Sequence, residues 1–193
     1  MDGPQNFRRI NNIEKDIILT SISDISSKLL PIIENLENSL YISLEKLTQK
    51  NRYPNIYLIS NELSKIIDKL NENDNIVFGG LYFGFIKKGR FFLSLEGVEF
   101  LYKNNIFSDF KKLYVNGKGE KSILYGNDIL KNMIIKNPSN LKKDDFLVIF
   151  NELKKIIALG RSFIDNENIQ NLKPNESIAN NLTDRGWYLR KNQ

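Results

Sequence analysis

The residues best suited to chemistry in this chain lie around Ser122–Ile134, SILYGNDILKNMI, where a Tyr-Gly-Asn-Asp turn separates two apolar runs and lysines stand nearby at Lys118, Lys121 and Lys131. Their types supply hydrogen-bond donors, phosphate-pairing cations and an aromatic ring, not a general base. The chain has no histidine and no cysteine, which removes imidazole-dependent triads, thiolate nucleophiles, disulfides and Cys- or His-based metal sites. Three other stretches imitate catalytic motifs. GKGEKS, Gly117–Ser122, has Glu120 where a phosphate loop needs glycine before its Lys-Ser pair, and that charge opposes a triphosphate. GGLYFG, Gly79–Gly84, lacks the spacing and the helix of a dinucleotide fingerprint. Asp144 and Asp145 pair two carboxylates, but they follow two lysines at the start of an apolar run and read as a turn. Most metal and nucleophile chemistry is thereby excluded, and binding is the chemistry these residues favour.

Charge says where. Residues 1–111 carry 14 Lys and Arg against 14 Asp and Glu, and residues 112–193 carry 14 against 9, so the whole formal net charge of +5 lies in the second part. That asymmetry suggests a neutral part and a polyanion-facing part, with a merely solvated basic face as the alternative that charge leaves open. At 193 residues with 41% hydrophobic side chains the chain supplies a core for one compact domain or two small ones. The opening MDGPQNFRRINNIEKD is polar, and no apolar run approaches the roughly 20 residues of a membrane span. A soluble, intracellular protein is the expectation.

The elements that would position these residues follow from periodicity. Asn12–Leu30 has apolar residues at helical spacing, with Pro31 expected to bend or end that helix. Ser39–Leu44 alternates partly and reads as a strand, with a continued helix as the alternative, Asn55–Ile59 reads as a strand, and Ser60 caps a helix over NELSKIIDKL. IVFGGLYFGFIKKGRFFLSL reads as strands broken at Gly79-Gly80 and at a Lys87-Lys88-Gly89 hairpin turn, and LEGVEFLYKNN as a helix with Glu96 and Glu99 in its first turn. The tip formed by Lys87, Lys88 and Arg90 reads first as an ordinary solvated turn. In the second part, LYVN is a strand, Lys118–Leu124 a short helix and Asp128–Ile134 a strand. FLVIFNELKKIIALGRSFI makes two strands about an Asn151–Lys155 turn, and GWYLR a terminal strand. Many short strands with one short helix suggest a small, nearly closed β-barrel. Alternation along the last strand puts Trp187 inside and Arg190 outside, Tyr125 closes its turn, and Gly126 answers a backbone need for positive φ or close approach.

NGKGEKSILYGNDILKNMI, then LKKDDFLVIFNELKKIIALGRSFI, then LTDRGWYLR resemble a PUA domain, the RNA-binding module named for pseudouridine synthases and archaeosine transglycosylases. YLISNELSKIIDKL followed by FGGLYFGFIKKGRFFLSLEGVEFL resembles the pre-PUA domain of a ribosome-biogenesis family shared by archaea and eukaryotes, and the LYGN turn after the short helix is especially like that family. The resemblance covers about Ile56 to Arg190. It departs from many PUA domains in having Asn132-Met133 where they carry Pro-Gly, and in an unmatched insertion, Asn166–Ser177.

The resemblance implies an α+β protein in which a mixed α/β pre-PUA domain, residues 1–110, is packed on a PUA-like barrel, residues 111–193. It implies a non-catalytic, cytoplasmic factor, without cofactor or metal, that assists pre-rRNA processing and large-subunit assembly. Its RNA would be single-stranded and U-rich, and its protein partners other assembly factors or the RNA-degrading exosome; neither DNA nor membrane is expected. The expected RNA-binding residues are Lys118, Lys121, Asn127, Lys131, Lys136, Arg185, Tyr188, Arg190 and Lys191, the cations on phosphates and Tyr188 or Tyr125 on bases. The alternatives are an RNA-modification enzyme or its substrate-binding subunit, which must act without His, Cys or a cofactor loop, and a protein-interaction scaffold.

Overall fold

The structure, a computed structural model, describes residues 7–44, 53–70, 76 and 79–190, apart from the side chains of Tyr188 and Leu189. The chain forms two compact units, Met1–Ile106 and Phe107–Gln193.

In the first unit, β1 (Phe7–Arg9), β2 (Leu40–Ser43), β3 (Asn55–Leu58), β4 (Leu81–Lys87) and β5 (Arg90–Leu93) form an antiparallel sheet in chain order. Helix α1 (Asn12–Ser23) opens on a capping box in which Asn11 and Glu14 satisfy each other's backbone N–H groups. The long helix expected through Leu30 is broken: a 3₁₀ turn, Ser27–Leu29, precedes α2 (Leu30–Leu36), and Pro31 sits in the first turn of α2 instead of ending a helix. A helix start has no intrahelical partner for that missing N–H, so proline fits there without loss. Ser60 caps α3 (Asn61–Ile67), which stops short of the expected segment, and Ser94 caps α4 (Leu95–Lys103). Lys88 and Gly89 have φ of 50° and 70° between β4 and β5, the geometry of a two-residue type I′ hairpin. The strand expected just before Gly79 falls largely on residues 77 and 78, outside those described.

The second unit comprises β6 (Lys111–Val115), α5 (Gly117–Leu124), β7 (Ile129–Leu130), β8 (Ile134–Lys136), β9 (Phe146–Phe150), β10 (Ile156–Ser162), β11 (Ser177–Asp184) and α6 (Trp187–Arg190). Its sheet has the order β7-β11-β10-β9-β6-β8, antiparallel except for the β6–β9 pair. The edge strands β7 and β8 are joined by a single 3₁₀ turn, Lys131–Met133. A connection that short brings both edges of a six-stranded sheet together, so the sheet is curled into a nearly closed barrel around Leu113, Val115, Ile123, Ile129, Ile149 and Ile178.

Two of the expected elements differ in the structure. Asp128–Ile134 is not one strand: it gives β7 to one edge, turns, and gives β8 to the other. The closing strand is β11, and GWYLR instead forms the short helix α6. In β11 Asn180 and Asn181 obscure the β pattern, yet both amides are used: Asn180 accepts from the Arg161 N–H at 3.0 Å and Asn181 donates to the Ile123 carbonyl at 2.9 Å. The insertion Asn166–Ser177 carries a 3₁₀ helix, Asn166–Asn171, and lays Ile169 and Leu172 against the barrel core.

Candidate nucleic-acid interface

Helix α5 is the centre of the site. Asn116 caps it by accepting from the Gly119 N–H at 2.8 Å and donates to the Asn132 carbonyl at 3.0 Å, so the cap also fixes the turn between the edge strands. Ile123 enters the core, and Lys118 and Lys121, three residues apart and therefore neighbours on the helix surface, remain exposed. Between them Glu120 accepts from Asn151 Nδ2 at 2.9 Å, which fastens the β9–β10 turn to α5. Asn151 is itself buried and accepts from the Lys155 N–H at 2.9 Å. The tip it holds places Lys154 and Lys155 in solvent together with Leu153, 74% exposed.

Beyond α5 the chain turns through Gly126 at φ +90°. Asn181 spans that turn, donating to Ile123 O and, at 3.3 Å, to Asn127 O, and its N–H reaches Asp128 Oδ1 at 3.1 Å. Tyr125 projects outward, 66% exposed. On the same end of the helix Arg190 donates to the Leu124 carbonyl and grips Asp184 with both terminal guanidinium nitrogens, at 3.0 and 2.8 Å. That bond to Asp184 raises the Arg190 guanidinium above its ordinary pKa. Arg185, exposed, donates from Nε to Ile156 O at 2.6 Å, next to the Lys155 end of the hairpin.

The contacts therefore gather Lys118, Lys121, Asn127, Arg185 and Arg190 of the expected residues around α5. Lys131 is drawn elsewhere: its ammonium donates to Gln170 O at 2.9 Å and Leu172 O at 2.6 Å and ties down the insertion. Lys136 is exposed on the edge strand β8, opposite Tyr114. The Tyr188 side chain and all of Lys191 lie outside the described residues. Trp187, expected in the core, is 41% exposed, and Arg190, expected to face outward, folds back on Asp184. Strand alternation does not apply to a helical turn, which is why both orientations differ. Sequence reasoning missed Leu153, Lys154 and Lys155 as site residues; the signal was a leucine beside two lysines at the tip of a hairpin.

Such a surface offers exposed cations for phosphates and the exposed Tyr125 ring for a base. Among the described residues no group of acidic side chains is placed to hold a metal ion, and no helix is long and apolar enough to cross a membrane.

The curled sheet with a helix after its first strand makes the second unit PUA-like in fold. Its fold resembles that of a conserved PUA domain protein from Thermoplasma acidophilum, with a TM-score of 0.59, 16% identity and coverage of 96% of this chain and 98% of that one. Residues 111–193 match the UPF0113 PUA domain family. A UPF0113 protein of Archaeoglobus fulgidus is 29% identical over 75% of this chain and 77% of its own length. The 60S ribosome subunit biogenesis protein NIP7 of Saccharomyces cerevisiae is 25% identical over 74% of this chain and 75% of its own. These matches agree with the family that the sequence motifs resemble, a pre-PUA domain followed by a PUA domain.

Proposed function

We propose that this chain is a non-catalytic, RNA-binding ribosome-biogenesis factor that assists pre-rRNA processing and assembly of the large subunit. The observation that carries the reading is the surface of α5, where Lys118, Lys121 and Tyr125 are exposed at helical spacing and the Asn151–Glu120 bond holds the exposed Lys154–Lys155 tip to the helix, in the part of the chain that holds the entire net charge of +5. The relationship to a yeast protein named for 60S subunit biogenesis supports the process, and the PUA match supports RNA as the ligand.

In this reading Lys118, Lys121, Lys136, Arg185 and Lys191 pair with phosphates, Asn127 offers an amide at the turn, and Tyr125 and Tyr188 stack on unpaired, U-rich bases. Lys131 and Arg190 act through the fold, by holding the insertion and the end of α5 in place. Residues 1–110 form the partner-facing domain, which meets other assembly proteins or the exosome in the cytoplasm, and residues 111–193 the RNA-facing one.

A tagged copy expressed in its own host tests this in a sucrose gradient. Co-sedimentation with precursors of the large subunit, and accumulation of unprocessed rRNA when the protein is depleted, are expected. Sedimentation only with free protein and unchanged rRNA processing would overturn the reading.

A further inference from the structure

The sheet of the first unit has two unlike faces. Register places Ile42, Ile56, Phe91 and Leu93 on one of them, where α1 and α4 pack. The other carries Tyr41, Tyr57, Tyr82, Phe85 and Phe92. At the β1–β2 end, α3 covers this second face: the Ser64 and Tyr41 hydroxyls are 3.0 Å apart, and Arg9 donates to Ser64 at 2.8 Å and Asp68 at 3.0 Å.

The β4–β5 end is different. Tyr53, Phe85 and Phe92 form a pile of near-parallel rings, with centroids 5.9 and 5.1 Å apart and planes within 28° and 11°. Phe92 is 37% exposed at the end of the pile, on the edge strand β5. Two residues further along each strand, on the same face, Lys87 pairs with Arg90, and Lys87 Nζ lies 4.7 Å from the centroid of the Tyr53 ring. Neither Lys87 nor Arg90 forms an ion pair with a described residue, and none of the five strands contains an Asp or a Glu. By contrast Arg8 and Arg9, at the covered end, are paired with Glu14 and Asp68.

We propose that the β4–β5 end of this face is a second RNA-contact surface, on which an unpaired base stacks against Phe92 while the Lys87–Arg90 rung and Lys88 hold the flanking phosphates. Flat rings beside uncompensated cations, with no carboxylate on the strands, match a single-stranded polyanion with π-faced bases better than an acidic or aliphatic protein surface. This extends the RNA-binding reading to the first unit and rests on it.

Anisotropy titrations of the full-length chain with a short single-stranded RNA and a duplex control test the proposal. Phe92→Ala should weaken single-strand binding about tenfold without changing the salt slope, and Phe92→Trp should restore it, because stacking needs a ring and not a charge. Lys87→Ala with Arg90→Ala, a surface variant that leaves the ring pile in place, should lower the slope by about 1.4, two phosphate contacts at about 0.7 each. Wild-type affinity in both variants, in a chain that binds RNA and loses it on Lys118→Glu with Lys121→Glu, would overturn the inference while leaving the α5 surface intact. Absence of RNA binding by the wild type would overturn both readings.

Discussion

Arg190 closes a two-pronged ion pair on Asp184, Nη1 to Oδ1 at 3.0 Å and Nη2 to Oδ2 at 2.8 Å, and the carboxylate it neutralises is only 2% exposed. The same guanidinium reaches the last carbonyl of α5, that of Leu124, so one side chain joins α6, β11 and the helix at the centre of the proposed RNA surface. Arg190→Ala leaves a buried charge without its counterion, the costly way to break such a pair. It should lower the melting temperature by several degrees, and Arg190→Lys should recover only part of the loss because an ammonium lacks the planar fork. Differential scanning calorimetry of the two variants checks this; equal melting temperatures in all three proteins would mean that the pair does not secure α5.

Asn151 gives the second structural test. Its side chain joins Glu120 of α5 to the β9–β10 turn while buried. Asn151→Ala removes both bonds and leaves the Lys155 N–H without its local acceptor. Chemical denaturation should show a loss of about 1–3 kcal/mol, and RNA affinity should fall as well, since Lys154 and Lys155 are then no longer held beside Lys118 and Lys121.

Gly126 separates backbone need from function. At φ +90°, with the Arg190 guanidinium 3.1 Å from where a Cβ would stand, alanine is strained and crowded. Gly126→Ala should destabilise the fold by about 1–2 kcal/mol, measured by urea unfolding. Tyr125→Ala, one residue earlier and largely exposed, should leave stability within about 0.5 kcal/mol while weakening single-strand binding.

Charge reversal separates phosphate contacts from packing. Lys118→Glu with Lys121→Glu alters two exposed positions on α5, so thermal stability should hold. The salt dependence of RNA binding should drop by about 1.4 in slope if each lysine meets one phosphate.

How much of this was legible from the sequence differs by element. The β4–β5 hairpin was plain because the Lys87-Lys88-Gly89 turn breaks two β-rich runs, with Gly89 suited to the positive φ it adopts. The α5 helix and its glycine turn were plain because apolar spacing and Gly126 coincide. β11 was hidden, since Asn180 and Asn181 are poor strand formers whose amides are satisfied only by groups distant in sequence. The helical turn at Trp187–Arg190 was read as a strand because alternation over four residues does not distinguish the two, and the error carried Trp187 into the core and Arg190 out of it. Of the expected site, exposed lysines on α5 were readable from pattern. The hairpin tip at Leu153–Lys155 was not, because it depends on the Asn151–Glu120 bond between segments about 30 residues apart.

The most direct test of the central claim is fluorescence anisotropy of the full-length chain with short U-rich and mixed single-stranded RNAs and a duplex control, titrated across salt. The account predicts preference for single strands and a log K that falls linearly with log salt, with a slope of about 0.7 for each phosphate contacted and so about 3 for a surface of four or five cations. No binding at low salt, or binding indifferent to salt and to strandedness, would contradict it.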